Sequence, residues 1–182
     1  VGSFAAMTYN GKEQTPQAAV TIDGLTATGE WSKVKNVTDK TSFIANGNFT
    51  GTIADKSTGM LKAASGINSE PSAKSGLVYD KTPHILIANG KPDGGVMKYS
   101  NDNKATWSEE LPQAVNAGSY EVWYKVIGDS NHNDTEPVKI NVSIAKASVD
   151  IPTVASKIYT GNRQTAENGE TELYTVSENS GG

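Results

Sequence analysis

Asn116-Ala117-Gly118-Ser119-Tyr120-Glu121-Val122-Trp123-Tyr124-Lys125-Val126 reads as a turn feeding an alternating strand. Tyr120, Val122, Tyr124 and Val126 alternate with Glu121, Trp123, Lys125 and Ile127, the period of a strand with one buried face. The Asn131-His132-Asn133 turn follows, and then Val138, Ile140, Val142 and Ile144 alternate with Lys139, Asn141, Ser143 and Ala145. His84-Ile85-Leu86-Ile87 and Gly95 to Ser100 read as two more strands, separated by the turn chemistry of Asn89 to Gly95 and of Asn101-Asp102-Asn103. Short strands at this spacing predict a β-sandwich. No segment sustains an apolar period of 3.6 residues, so the expected fold class is all-β with almost no helix.

The pattern recurs upstream in weaker form. Asn36-Val37-Thr38-Asp39, Asn46-Gly47-Asn48-Phe49 and Leu61-Lys62-Ala63-Ala64 keep the order of the later landmarks. Asn48 lies 83 residues before Asn131, and Lys62 lies 84 before Lys146. Tyr9-Asn10-Gly11-Lys12, Tyr79-Asp80-Lys81-Thr82 and Tyr159-Thr160-Gly161-Asn162 mark three openings. The expected organisation is a divergent module at 1–64, a second at 65–147 and the incomplete start of a third at 148–182. Tandem all-β units form arrays that bind, space or display. In the first module, 18–22, 29–34 and 41–45 read as strands, with 59–62 closing it. Residues 64–76, small and polar, read as the hinge between modules and the lead into the next.

Composition narrows the function. The chain has no cysteine, which removes disulfides and thiolate metal sites. Its basic residues are 15 lysines and Arg163 alone, and its formal charge is −4, so no nucleic-acid partner is expected. No apolar run approaches the ~20 residues that span a bilayer as a helix. Val1 opens no signal peptide, and the chain is read as a fragment of a longer protein.

At Asn116 to Val122 the sequence resembles the tyrosine corner of immunoglobulin folds, with Tyr120 two residues before the core position Val122. Leu77 to Ala147 as a whole resembles the bacterial immunoglobulin-like tandem repeats of Gram-positive cell-surface and secreted proteins. The matching stretches are Leu77-Val78-Tyr79-Asp80, Gly94 to Ser100, Ala117 to Val126, Gly128 to Asp134 and Ile144-Ala145-Lys146-Ala147. The first module is similar through Met7 to Lys12 and Gly47 to Gly51, and departs where Asn36 to Asp39 replaces the corner. The resemblance implies extracellular, secreted or wall-attached proteins built of tandem sandwiches, with neighbouring modules as partners. It implies no catalytic residue and no common ligand.

Candidate chemistry is sparse. His84 and His132 are the two side chains able to act as bases near neutral pH, and neither has a nucleophile motif or a metal-ligand partner at fixed spacing. No enzyme and no cofactor are expected. Asp129 to Glu136 offers oxygen ligands at alternate positions, but Asp134 stands where a calcium loop needs glycine, so this is read as a metal-free Asn/Asp turn. Trp107 and Trp123 are the candidate ligand-binding residues, a stacking platform for sugar rings; the competing role is to cover a sheet by packing on lysine stems. A core Lys–Asn crosslink has the residue types it needs but no readable pairing. Two functions follow. One is a spacer or display stalk; the other is an adhesin-like module that binds glycan or a host surface protein. The first predicts a charged, featureless surface and the second a concave aromatic patch. The spacer is the expectation. Residues 148–182 are expected to dock strands on this or a neighbouring molecule, giving self-association.

Overall fold

The structure, a computed structural model, describes residues 1–149. The expected tail strands and self-association surface at 148–182 therefore lie almost wholly outside the described residues. Every regular element among those residues is a β-strand.

In the N-terminal group, β1 (Thr21–Ile22) and β2 (Leu25–Thr26) form a hairpin around Asp23 and Gly24. Both turn residues have positive φ, at 50° and 82°, as a two-residue turn matched to strand twist requires. β3 (Gly29–Trp31), β4 (Lys40–Ala45) and β5 (Thr52–Ser57) then form a three-stranded antiparallel sheet in the order β3-β4-β5. Gly29 is required where β3 crosses Phe43, because a Cβ there would lie 2.3 Å from the ring. The core is small and aromatic: Val20, Ala27, Trp31 and Phe43, with Phe4 edge-on to Trp31 at 4.8 Å. The Trp31 indole donates to the Ala18 carbonyl at 3.0 Å, so the buried ring keeps its polar atom satisfied.

The expected hinge is instead paired backbone. β6 (Ala63–Ala64), β7 (Gly66–Ser69) and β8 (Ser72–Ala73) occupy it. Beyond it, the run expected as one strand at 84–87 is split into β9 (His84–Ile85) and β10 (Ile87–Ala88) around fully buried Leu86. β11 (Lys91–Asp93) falls inside the expected turn at 89–95 and pairs with β7, while β10 pairs with β8. These pairings draw the polar segment onto the C-terminal group; sequence-local propensity is weak there and the ladder decides.

The C-terminal sheet contains β12 (Gly95–Ser100), β14 (Gly118–Gly128) and β16 (Val138–Ile144), in the order β12-β14-β16. β13 (Gln113–Ala114) pairs with β9, and β15 (His132–Asn133) pairs in parallel with β6. On β14, Val122, Tyr124 and Val126 are buried and Tyr120 half-buried, as the alternation predicts. They pack with Leu86, Ile87, Met97, Tyr99, Val142 and Ile144. Val138, expected inside, is 45% exposed at the start of β16, although it pairs with buried Tyr124. The Tyr120 hydroxyl donates to the Asn116 carbonyl at 2.6 Å, the corner bond expected of its position.

Each group contains a three-stranded antiparallel sheet whose central strand is flanked by an earlier and a later one; β3, β4 and β5 are consecutive, whereas β13 and β15 intervene between β12, β14 and β16. A second feature also recurs. Thr8 forms a parallel bridge with Leu61, and Val78 forms one with Ala145. Leu61 and Ala145 immediately precede the two lysines that share the 84-residue offset.

Candidate functional site

Two places gather the side chains singled out in the sequence. The first is the outer face of the β12-β14-β16 sheet. Trp123 lies opposite Ser100 on β12 and Lys139 on β16, so it projects away from the core with Lys98 and Lys125. Trp107 follows the loop after β12, next to Ser108, which bridges Tyr99. Each indole is covered by a cation. Lys104 Nζ stands 4.3 Å from the Trp123 ring centre with Lys139 at 5.8 Å, and Lys125 Nζ stands 4.7 Å from that of Trp107. Such contacts contribute about 0.5–1 kcal/mol at exposed sites. Ion pairs from Lys98 to Glu109 at 2.9 Å and from Lys139 to Glu121 at 2.7 Å tile the rest of the face. The two tryptophans are both half-buried, each with a lysine over its ring. Trp123 Nε1 is buried with no hydrogen-bond partner among the described residues.

The loop that carries Lys104 is fixed by Asp102 and Ser100. Asp102 accepts from the Ser100 hydroxyl at 2.6 Å and from the Thr106 backbone N–H at 3.0 Å, and also takes the Thr106 hydroxyl. The Lys104 N–H donates to Ser100 Oγ at 2.9 Å. The Ser100 and Thr106 side-chain bonds hold the Asp102 carboxyl down at about 2. Asn103 and Lys104 both take positive φ within this loop, at 58° and 71°. Asn101-Asp102-Asn103 is legible as a turn, but nothing local shows that it carries a lysine over Trp123.

The second place is the Asp129 to Asp134 turn, where the two groups meet. Asn131 Oδ1 accepts the Val37 N–H at 2.9 Å, and Asn131 Nδ2 donates to Asn36 Oδ1 at 3.1 Å. The Asn131 carbonyl accepts the Ala63 N–H at 2.9 Å. Lys62 Nζ donates to the Asp129 carbonyl at 3.0 Å, and the Ser65 hydroxyl to the Asn133 carbonyl at 2.5 Å. His132 stands edge-on to Tyr9 with ring centres 5.1 Å apart, and its Nδ1 lies 2.7 Å from Asp129 Oδ1. That contact, with the Asn131 N–H at 2.8 Å, holds the Asp129 carboxyl below its ordinary value. On the facing side Asp39 accepts the Lys35 and Asn36 N–H groups at 2.8 and 2.7 Å, which fixes the Asn36 turn. Asp39 is lowered by those bonds in turn. Gly94 lies flat under His132, since a Cβ at Gly94 would fall 2.5 Å from the imidazole.

Of the oxygens in the Asp129 to Glu136 stretch, Asp129 Oδ1 and Asn131 Oδ1 accept the bonds above, and Asp134 Oδ1 accepts the Gly128 N–H at 2.9 Å. No cluster of three or more His, Cys, Asp or Glu suited to a metal occurs among the described residues. His84, on β9, lies 3.0 Å from Asp80 through Nε2, whereas His132 lies on β15, so the two imidazoles serve different strands. No described lysine is buried, so a core crosslink has no buried amine to start from there. Two grooves of about 520 and 250 Å³ flank β3, with Trp31 in both, but Glu30 and Lys33 are the charged groups lining them. No described helix is long and apolar enough to cross a membrane. No family model, curated protein or solved structure matches the chain.

Proposed function

We propose that the chain is a non-catalytic spacer: tandem immunoglobulin-like modules of a bacterial extracellular protein, divided near residue 64, that hold another part of that protein at a distance. The observation that carries this reading is the junction. A spacer must resist bending between units, and here Asn131 alone ties Val37, Asn36 and Ala63 to the turn that precedes β16. The bonds join residues 94 and 95 positions apart in sequence, which makes them tertiary rather than local. The immunoglobulin-like reading draws support from the Tyr120 corner bond and from the three-stranded antiparallel sheet in each group. The lysine cover on Trp107 and Trp123 favours the structural role for these rings over sugar stacking.

The competing adhesin function is tested directly. The chain is passed over a panel of neutral and acidic glycans and extracellular host proteins. The spacer reading expects no saturable binding. Saturable binding lost in Trp107→Ala or Trp123→Ala would overturn it.

A further inference from the structure

We infer that the far end of the second group is a docking surface for the Asn-His turn of a further module. The inference rests on the tandem-module reading and names the groups by which a following module is held. At the existing junction the first group receives the Asp129 to Asp134 turn through a defined set. Asn36 Oδ1 and the Val37 N–H take the two ends of the Asn131 carboxamide, at 3.1 and 2.9 Å. The Ala63 N–H donates to the Asn131 carbonyl at 2.9 Å, and Lys62 Nζ to the Asp129 carbonyl at 3.0 Å. The Tyr9 ring stands edge-on to His132.

The second group carries the same set at its opposite end. Asn116 and Ala117 lead into β14, the central strand of its sheet, as Asn36 and Val37 lead into β4. Lys146 and Ala147 follow Ala145 as Lys62 and Ala63 follow Leu61, and Tyr79 follows Val78 as Tyr9 follows Thr8. Strand register brings these residues together. Gly118 pairs with Ile144, which sets Asn116 and Ala117 beside Ala145 and Lys146, and the bridge from Val78 to Ala145 brings Tyr79 to the same place. The Tyr120 hydroxyl fixes the Asn116 turn, where Asp39 fixes the Asn36 turn. Asn116 Oδ1, the Ala117 N–H, Lys146 Nζ and the Ala147 N–H have no hydrogen-bond partner among the described residues. Asn116 is exposed, whereas Asn36, with Asn131 on it, is half-buried. Val149 stands where the Ser65 hydroxyl binds the Asn133 carbonyl, so that one bond is not repeated.

This set selects its partner by chemistry. A side-chain oxygen next to a backbone N–H meets both ends of one carboxamide. A carboxylate in its place would face Asn116 Oδ1 with a second acceptor, and an ammonium would face the Ala117 N–H with a second donor. Lys146 adds a donor for a turn carbonyl, and Tyr79 a ring for an imidazole edge. The partner that fits is a turn presenting Asn followed by His, as residues 131 and 132 do.

To test this, the chain is extended after Val149 by a second copy of residues 66–149, which supplies a second Asn-His turn at the 84-residue offset that relates Lys62 to Lys146. Spin labels at Ser143 in both copies should give one narrow distance distribution. The Ala117 and Ala147 amides of the first copy should exchange severalfold more slowly than in the unextended chain. Asn116→Ala in the first copy, or Asn131→Ala in the second, should broaden the distribution and release the Ala117 amide. Asn116→Ala keeps the carbonyl that Tyr120 binds, so in the unextended chain it should leave the melting temperature unchanged. Amides that exchange alike in the two chains, or a narrow distribution that neither substitution broadens, would overturn the docking surface. An appended copy that fails to fold gives the first of these results. Failure of the tandem-module reading would show separately, as a broad distance distribution across the existing junction of the unextended chain.

Discussion

Each group has a three-stranded antiparallel sheet, but the two solve the packing problem differently. The N-terminal core rests on Trp31 and Phe43 with Val20 and Ala27, and Phe4 closes it from the side. The C-terminal core has nine buried residues, with β14 supplying Val122, Tyr124 and Val126 in one run. The buried Tyr99 hydroxyl is anchored within it, donating to Asn89 Oδ1 and accepting the Gly90 N–H at 3.1 Å. A core in which two rings and an edge-on third meet at Trp31 loses most of its contacts when that ring is lost, whereas a core spread over many side chains degrades by increments. The larger C-terminal core is therefore expected to outlast the N-terminal one when either is weakened.

Trp31→Ala should show the largest effect. It removes the ring that Phe4 and Phe43 both touch, at a cost of about 3–5 kcal/mol. Near-ultraviolet dichroism and heat denaturation should then report loss of the N-terminal group while the C-terminal group still melts as a unit. Asn131→Ala should come next. The Val37 N–H and Asn36 Oδ1 lose their partner, at a cost of about 1–3 kcal/mol, and a single melting transition should split in two. Tyr120→Phe, which deletes the bond to the Asn116 carbonyl, should lower stability by about 1 kcal/mol, measured by denaturant titration with an unchanged slope.

These positions also show what could be read in the sequence. The β14 alternation and the Tyr120 corner are legible because both are local: a period of two and a fixed spacing from the turn. β5 is not, since Thr-Ile-Ala-Asp-Lys-Ser offers one half-buried apolar residue, Ile53, and owes its form to pairing with β4. β7 and β8 are hidden for the same reason in small polar residues that read as a hinge. Trp123 reads correctly as an outward residue from its parity with Tyr124. The part Asn131 plays is invisible, because its partners at Asn36 and Val37 become neighbours only after both groups fold.

The smallest expected effect tests the loop that carries Lys104. Asp102 has its folded value lowered from 3.8 to about 2, so its contribution to stability is present above the ordinary carboxylate range and is lost as pH falls through the folded value. Melting of the native protein and of Asp102→Asn should therefore differ above pH 3.8 and converge toward pH 2. Trp123 fluorescence should shift over the same window as Lys104 leaves the ring.

The bonds of Asn131 across the junction are expected to make the two groups one stiff unit. Spin labels at Ile44 and Ser143, exposed positions on the two three-stranded sheets, report the distance between the groups. One narrow distance distribution is expected in the native chain and a broad one in Asn131→Ala. A distribution already broad in the native chain, or one that Asn131→Ala leaves narrow, would contradict it.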